Sequence, residues 1–284
     1  MLWLYAVIFA TLMGGIGQVL HRRITKDEDV RSYSFLFTLI AGLSFIPVMF
    51  LEDMTLPSGN GWLTFFAAAG LWFLINITGF NATKRTEVGV YAPLSKTSII
   101  FVLLLASVFL GENVTLAKIL GTLVIFTGIV MLTWKKGSLD KLKDKGIQLV
   151  LLTALLTAMV TLLDKHNMTL GISKGFYGMV MYLIPCALHG VRAKSRGRKI
   201  KRIIKNQGPY VLLVGLIYGV LYYYLFLYAY SFPEAEISII YPISQLKILL
   251  AVILGYLWLG ETQSLGKKLA ASALMIAGAV LVAI

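Results

Sequence analysis

Two lysines, Lys96 and Lys247, stand inside long apolar stretches with no acidic residue one helical turn away. An ammonium group at membrane depth is costly unless it faces water or a partner. The chemistry open to such a group is ion pairing with the carboxylate or phosphate of an anionic substrate. Snorkelling toward the interface is the competing account. It suits Lys96 better, which lies about a dozen ångströms into its helix at about 1.5 Å per residue. A shift of 149 residues carries Lys96 onto Gln245 and Ser98 onto Lys247. These four positions read as one substrate-binding set. Asn76, Tyr222 and Gln18 are further candidates for lining a cavity. Asn76 accompanies Trp72 and Asn81, and Tyr222 belongs to a tyrosine-rich block in which Tyr218 and Tyr222 share a helix face. For most of those tyrosines, interfacial belting is the plainer account. Gln18 follows Gly14, Gly15 and Gly17, small residues that suit close helix packing. Pro93 and Pro242 each remove a backbone hydrogen bond, to the carbonyls of Gly89 and Ser238. Matched kinks there would act as hinges, or simply as packing bends.

The elements that hold these residues are set by composition. Of 284 residues, 58% are hydrophobic and 14% charged, and the mean hydropathy is +0.82. A soluble domain is nearer 45–50% apolar and about 25% charged. The excess falls in blocks of about 20 residues, the length an α-helix needs to cross a bilayer. The expected spans are 2–20, 32–51, 61–82, 88–110, 114–134, 147–165, 172–191, 209–231, 235–259 and 263–284. Barrel strands are disfavoured, being about ten residues long with alternating polarity. Met1 to Leu20 lacks a basic leader, so it reads as a retained first span.

The formal charge of +13 does not point to nucleic acid, because the basic residues sit between apolar blocks as the positive-inside rule expects. Loops on one side hold 21 of the 26 basic residues, and the other side holds only Lys118, Lys165 and Lys174. The basic loops are therefore expected in the cytoplasm, with both termini outside a cell (inner or plasma) membrane. No cofactor or metal is expected: Cys186 is single, and His21, His166 and His189 form no ligand-spaced cluster. An enzyme is disfavoured for want of a nucleophile–base pair, and an ATP-driven pump for want of a phosphate-binding loop. Asp164 and His166 end the sixth block and are expected to be solvent-exposed, with gating of one mouth as the alternative.

The chain repeats itself. Glu87-Val-Gly-Val-Tyr-Ala-Pro93-Leu-Ser95 matches Glu236-Ile-Ser-Ile-Ile-Tyr-Pro242-Ile-Ser244 at an offset of 149, which also maps Gly111-Glu112 onto Gly260-Glu261 and Lys118 onto Lys267. Glu112 and Glu261 are expected to cap the helices that follow them. The halves are 1–137 and 146–284. Five helices per half is an odd number, so the second half enters from the opposite side and the repeats are inverted. Such repeats suit alternating access around a mid-membrane site.

On the paired prolines, the Leu-Gly-Glu turns at 110–112 and 259–261 and the small-residue-rich closing helices (121–128 and 271–278), the chain resembles the EamA-like group of drug/metabolite transporters. The resemblance implies an all-α integral membrane fold: about ten transmembrane helices as two inverted five-helix repeats around a central cavity. It also implies transport of a small metabolite. Lysines inside apolar helices narrow the expected substrate to a polar one bearing a carboxylate or phosphate, moved without ATP. A flippase for a lipid or lipid-linked sugar is the alternative, suggested by the basic run Arg192–Lys205. The expected partners are a small-molecule substrate and the lipid bilayer. A homodimer is left open.

Overall fold

The computed structural model describes residues 2–86, 91, 94–133, 144–193, 197–259 and 265–283. Among these, the secondary structure is helical, with no strand. Six helices are long and apolar enough to cross a membrane, at Leu2–Thr25, Val30–Leu51, Gly61–Gly79, Lys145–Thr169, Gly197–Tyr230 and Ile237–Leu254. Shorter apolar helices lie at Ser98–Leu110, Leu116–Met131 and Ala270–Ala283. Large apolar side chains face outward, among them Phe50, Leu51, Leu63, Val108, Phe109 and Leu116. In water such a surface would be an aggregation hazard; in lipid it is the expected one.

The chain divides into two compact units. One comprises Met1–Ala69 and Lys165–Pro233, the other Gly70–Asp164 and Glu234–Ile284. Each unit draws on both halves of the sequence.

In the first unit, α1 (Leu2–Asp27) is followed by α2 (Val30–Leu43), whose first turn is capped by Asp29 accepting from the Ser32 amide at 3.0 Å. After a turn at Ser44 and Phe45 comes α3 (Ile46–Leu51). The C-terminal half contributes α8 (Lys174–Ala193) and a long helix. This begins as α9 (Gly197–Leu216), widens to a π-helix over Ile217–Tyr224 and ends as α10 (Leu225–Tyr230). Helix α9 starts well before the expected Pro209, inside the run expected to be a basic loop. Its polar turns hide the helix from hydropathy, and Ile203 buried against Ile24, Tyr33 and Leu36 explains why it persists.

The second unit holds most of α4 (Gly61–Arg85), together with α5 (Ser98–Leu110), α6 (Leu116–Thr133), α7 (Lys145–Thr169), α11 (Ile237–Ser244), α12 (Lys247–Leu259) and α13 (Leu265–Ala283). Gly111 ends α5 in the left-handed region at φ 67°, where a side chain would be strained. Helices α6 and α13 meet through small residues. A Cβ on Gly121 would lie 2.6 Å from the Gly278 carbonyl oxygen, and one on Gly128 would lie 2.9 Å from the Ala271 carbonyl oxygen. Early residues of one helix meet late residues of the other, so the two run antiparallel.

The expected unbroken spans 32–51 and 235–259 are each interrupted, and so is 88–110 in its described part. Turns fall at residues 44–45, 96–97 and 245–246. One hydrogen-bond feature recurs at all three. At each break a hydroxyl reaches back three residues and takes a carbonyl from the helical ladder: Ser44 to Ala41 (2.7 Å), Thr97 to Leu94 (2.7 Å) and Ser244 to Tyr241 (2.6 Å). Tight backbone bonds replace the usual ones, such as Thr97 N–H to Leu94 O at 3.1 Å and Gln245 N–H to Pro242 O at 3.0 Å. The second and third breaks, 96–97 and 245–246, are 149 residues apart, the offset of the sequence repeat.

Candidate functional site

Both lysines sit at these repeat-matched breaks. Lys96 occupies the turn before α5, and Lys247 opens α12 directly after its turn. Both are half-buried and in the same unit. Among the described residues Lys96 has no acidic partner. The N-terminal ends of α5 and α12 add their positive dipole ends to the two ammonium groups.

Tyr241 ties the surrounding polar groups together. Its hydroxyl and that of Ser98 are 2.9 Å apart, and its carbonyl accepts from the Gln245 amide at 3.3 Å. Gln245 also donates to Ser244 Oγ at 2.8 Å. Ser98, Ser244 and Gln245 are all buried. Four of the expected site residues, Lys96, Lys247, Gln245 and Ser98, are thus brought together. Tyr241 joins them; its position beside Pro242 in the repeated motif was the available signal.

The remaining candidates make local contacts of their own. Asn76 lies in the same unit but donates to the Trp72 carbonyl one turn back at 2.9 Å. Tyr222 and Gln18 belong to the other unit. Tyr222 sits in the π-helix, its ring centroid 5.4 Å from that of Tyr218 and 4.9 Å from that of Phe226. The Oε1 of Gln18 is buried without a hydrogen-bond partner among the described residues. Pro242 is buried inside α11, three residues before its break. Pro93 lies outside the described residues, as do Glu87, Gly89 and Glu261.

Two expectations need correction. Glu112 does not cap the helix that follows it. Its carboxylate accepts from the amides of Ile237 at 2.8 Å and Ser238 at 2.9 Å, the first turn of α11, 125 and 126 residues away. Beside it, buried Lys118 pairs with Glu236, the residue before α11, and donates to the Asn113 carbonyl at 2.7 Å. The Gly-Glu turn therefore holds the segment that carries Tyr241, Gln245 and Lys247. A residue-by-residue reading missed this because the acceptor and its donors share no local pattern. Asp164 is likewise not exposed: it is buried within α7, at 4% exposure. Its neighbour Lys165 is buried too and donates to the Phe232 carbonyl at 2.6 Å.

A family model for EamA-like transporters matches residues 1–134 and 144–284. The chain belongs to the EamA-like transporter family. An uncharacterized transporter of Archaeoglobus fulgidus is 22% identical to it over 164 residues. That match takes in 57% of this chain and 58% of the relative, so the chain spans less than two thirds of that protein. One solved structure, named only as a crystal structure of a protein, has a TM-score of 0.77 at 14% identity and covers 97% of this chain and 94% of that one. At that identity the likeness speaks for the fold alone. Family and apolar helices together make this EamA-like protein a multi-pass membrane protein of a transporter family.

Proposed function

We propose that this EamA-like transporter is a secondary carrier that moves a small carboxylate- or phosphate-bearing metabolite by alternating access. The observation that carries the reading is the pair of lysine-bearing breaks, 149 residues apart in sequence and linked by the 2.9 Å contact between the Ser98 and Tyr241 hydroxyls. Broken helices that aim positive ends and ammonium groups at a mid-membrane point are a recurring way to hold an anion in lipid.

In this reading the fold is two inverted five-helix repeats, 1–137 and 146–284. The α6–α13 pairing supports it. At the repeat offset of 150 for these helices, Gly121 corresponds to Ala271 and Gly128 to Gly278. Gly121 meets Gly278 and Gly128 meets Ala271, the exchange expected of copies related by a two-fold axis. Lys96, Lys247, Gln245 and Ser98 bind the substrate. Asn76, Tyr222 and Gln18 remain proposed lining residues, and Pro242 with Pro93 proposed hinges. The protein resides in the cell (inner or plasma) membrane with basic loops cytoplasmic and both termini outside.

The test is a thermal-shift screen of the purified protein against amino acids, other carboxylates, sugar phosphates and nucleotide sugars, repeated with Lys247→Ala. Stabilisation by an anion in the wild type, lost in the variant, is the expected result. Ligand stabilisation unchanged by Lys247→Ala sinks the site assignment. Scrambling of a labelled lipid in liposomes without uptake of soluble anions would favour the flippase alternative.

A further inference from the structure

The long helix that begins as α9 outruns the bilayer. From Gly197 to Tyr230 it spans 34 residues, about 50 Å at about 1.5 Å per residue, against a hydrocarbon core of about 30 Å. Its apolar part starts near Pro209, so residues 197–208 stand outside the core. Tyr210 marks the entry, with the Arg23 guanidinium 4.6 Å above its ring, an aromatic–cation pairing suited to the interface.

Packing fixes the rotation of the emergent segment. Ile203 is fully buried, and Ile200 packs against the same cluster of Ile24, Tyr33 and Leu36. Arg198, Lys201, Arg202 and Lys205, spaced i, i+3, i+4 and i+7, share the opposite face and are exposed. Acidic residues of the α1–α2 corner engage only part of the helix charge: Asp29 lies 3.0 Å from Lys199, and Glu28 lies 3.8 Å from Arg202, which stays 67% exposed. Arg198, Lys201 and Lys205 have no acidic partner among the described residues. Lys205 stands about 7 Å from Tyr210 along the axis, and Lys201 about 13 Å, at about 1.5 Å per residue. Both distances fall within the headgroup layer and its ionic atmosphere of about 8 Å. Exposed Ile204 lies beside them.

We propose that this face of α9 docks anionic phospholipid headgroups of the adjoining leaflet. A row of cations that starts at the apolar entry meets headgroups before any soluble polyanion, and each cation near an anionic surface is worth about fivefold in binding. The proposal rests on the membrane-spanning fold alone and stands whatever the transporter carries.

The test is native mass spectrometry of the full-length protein in neutral detergent, titrated with phosphatidylglycerol or phosphatidylcholine. Phosphatidylglycerol should bind at least about tenfold tighter, by a margin that shrinks with added salt. The variant Arg198→Gln/Lys201→Gln/Lys205→Gln should lose that margin, while Lys201→Arg/Lys205→Arg should keep it. Should the triple variant fail to fold, Lys201→Gln/Lys205→Gln serves, with a margin cut several-fold. Equal binding of the two lipids by the wild type overturns the proposal, as does a margin that survives neutralisation in a folded variant. Displacement of phosphatidylglycerol by millimolar glycerol phosphate or by an oligonucleotide would also overturn it, assigning the face to soluble anions.

Discussion

Glu112 offers the sharpest test of how the lysine-bearing break is held. Its two carboxylate oxygens accept from consecutive amides at the start of α11, at 2.8 and 2.9 Å. The residue before the helix, Glu236, caps nothing with its own side chain. Hydrogen bonds to a charged group contribute about 1.5–3 kcal/mol each, and unmet buried amides carry a comparable cost. Glu112→Ala removes both bonds and should lower stability by about 3–5 kcal/mol. Glu112→Gln keeps one acceptor oxygen but loses the charge, so about 1–2 kcal/mol is expected. Stability is read from denaturant- or SDS-induced unfolding of the purified protein in mild detergent, followed by tryptophan fluorescence. Ligand-induced stabilisation should fall in the same order, since α11 carries Tyr241 and leads to Lys247. Glu112→Ala within about 1 kcal/mol of the wild type would refute the capping argument. Equal losses for Ala and Gln would show that capping geometry is not the cause.

Gly121→Ala should cost about 1–3 kcal/mol, because its Cβ would meet the Gly278 carbonyl at 2.6 Å and backbone cannot yield cheaply. Gly70→Ala, in α4 with nothing within 4 Å of the new methyl, should be neutral or stabilising by up to about 1 kcal/mol. Thermal melts of the two variants side by side check both, and a reversed order would refute the close α6–α13 contact. A topology reporter fused after Ile284 should read outside the cytoplasm; a cytoplasmic signal would overturn the orientation drawn from the basic loops.

Membrane residence was legible in the sequence because the length of an apolar block is a local property, readable one segment at a time. The repeat at offset 149 was legible for the same reason, and it located Lys96, Ser98, Gln245 and Lys247 as related positions before any coordinates. Local pattern could not show where helices stop inside apolar blocks. At residues 96–97 and 245–246 the chain turns inside an apolar block, with side-chain hydroxyls bonded to carbonyls three residues back, and nothing in hydropathy marks these turns. Nor could it show that α9 extends through a basic run, since Ile203 earns its helix only by meeting Ile24, Tyr33 and Leu36. The partners of Glu112 and the burial of Asp164 and Lys165 were equally hidden. A carboxylate near a helix end looks alike whether it faces solvent or reaches 125 residues along the chain to another helix start. The residue types that can do chemistry, and the medium they lie in, are written in the order of amino acids. Which of them meet depends on long-range packing, because hydrogen bonds and burial are set by neighbours in space.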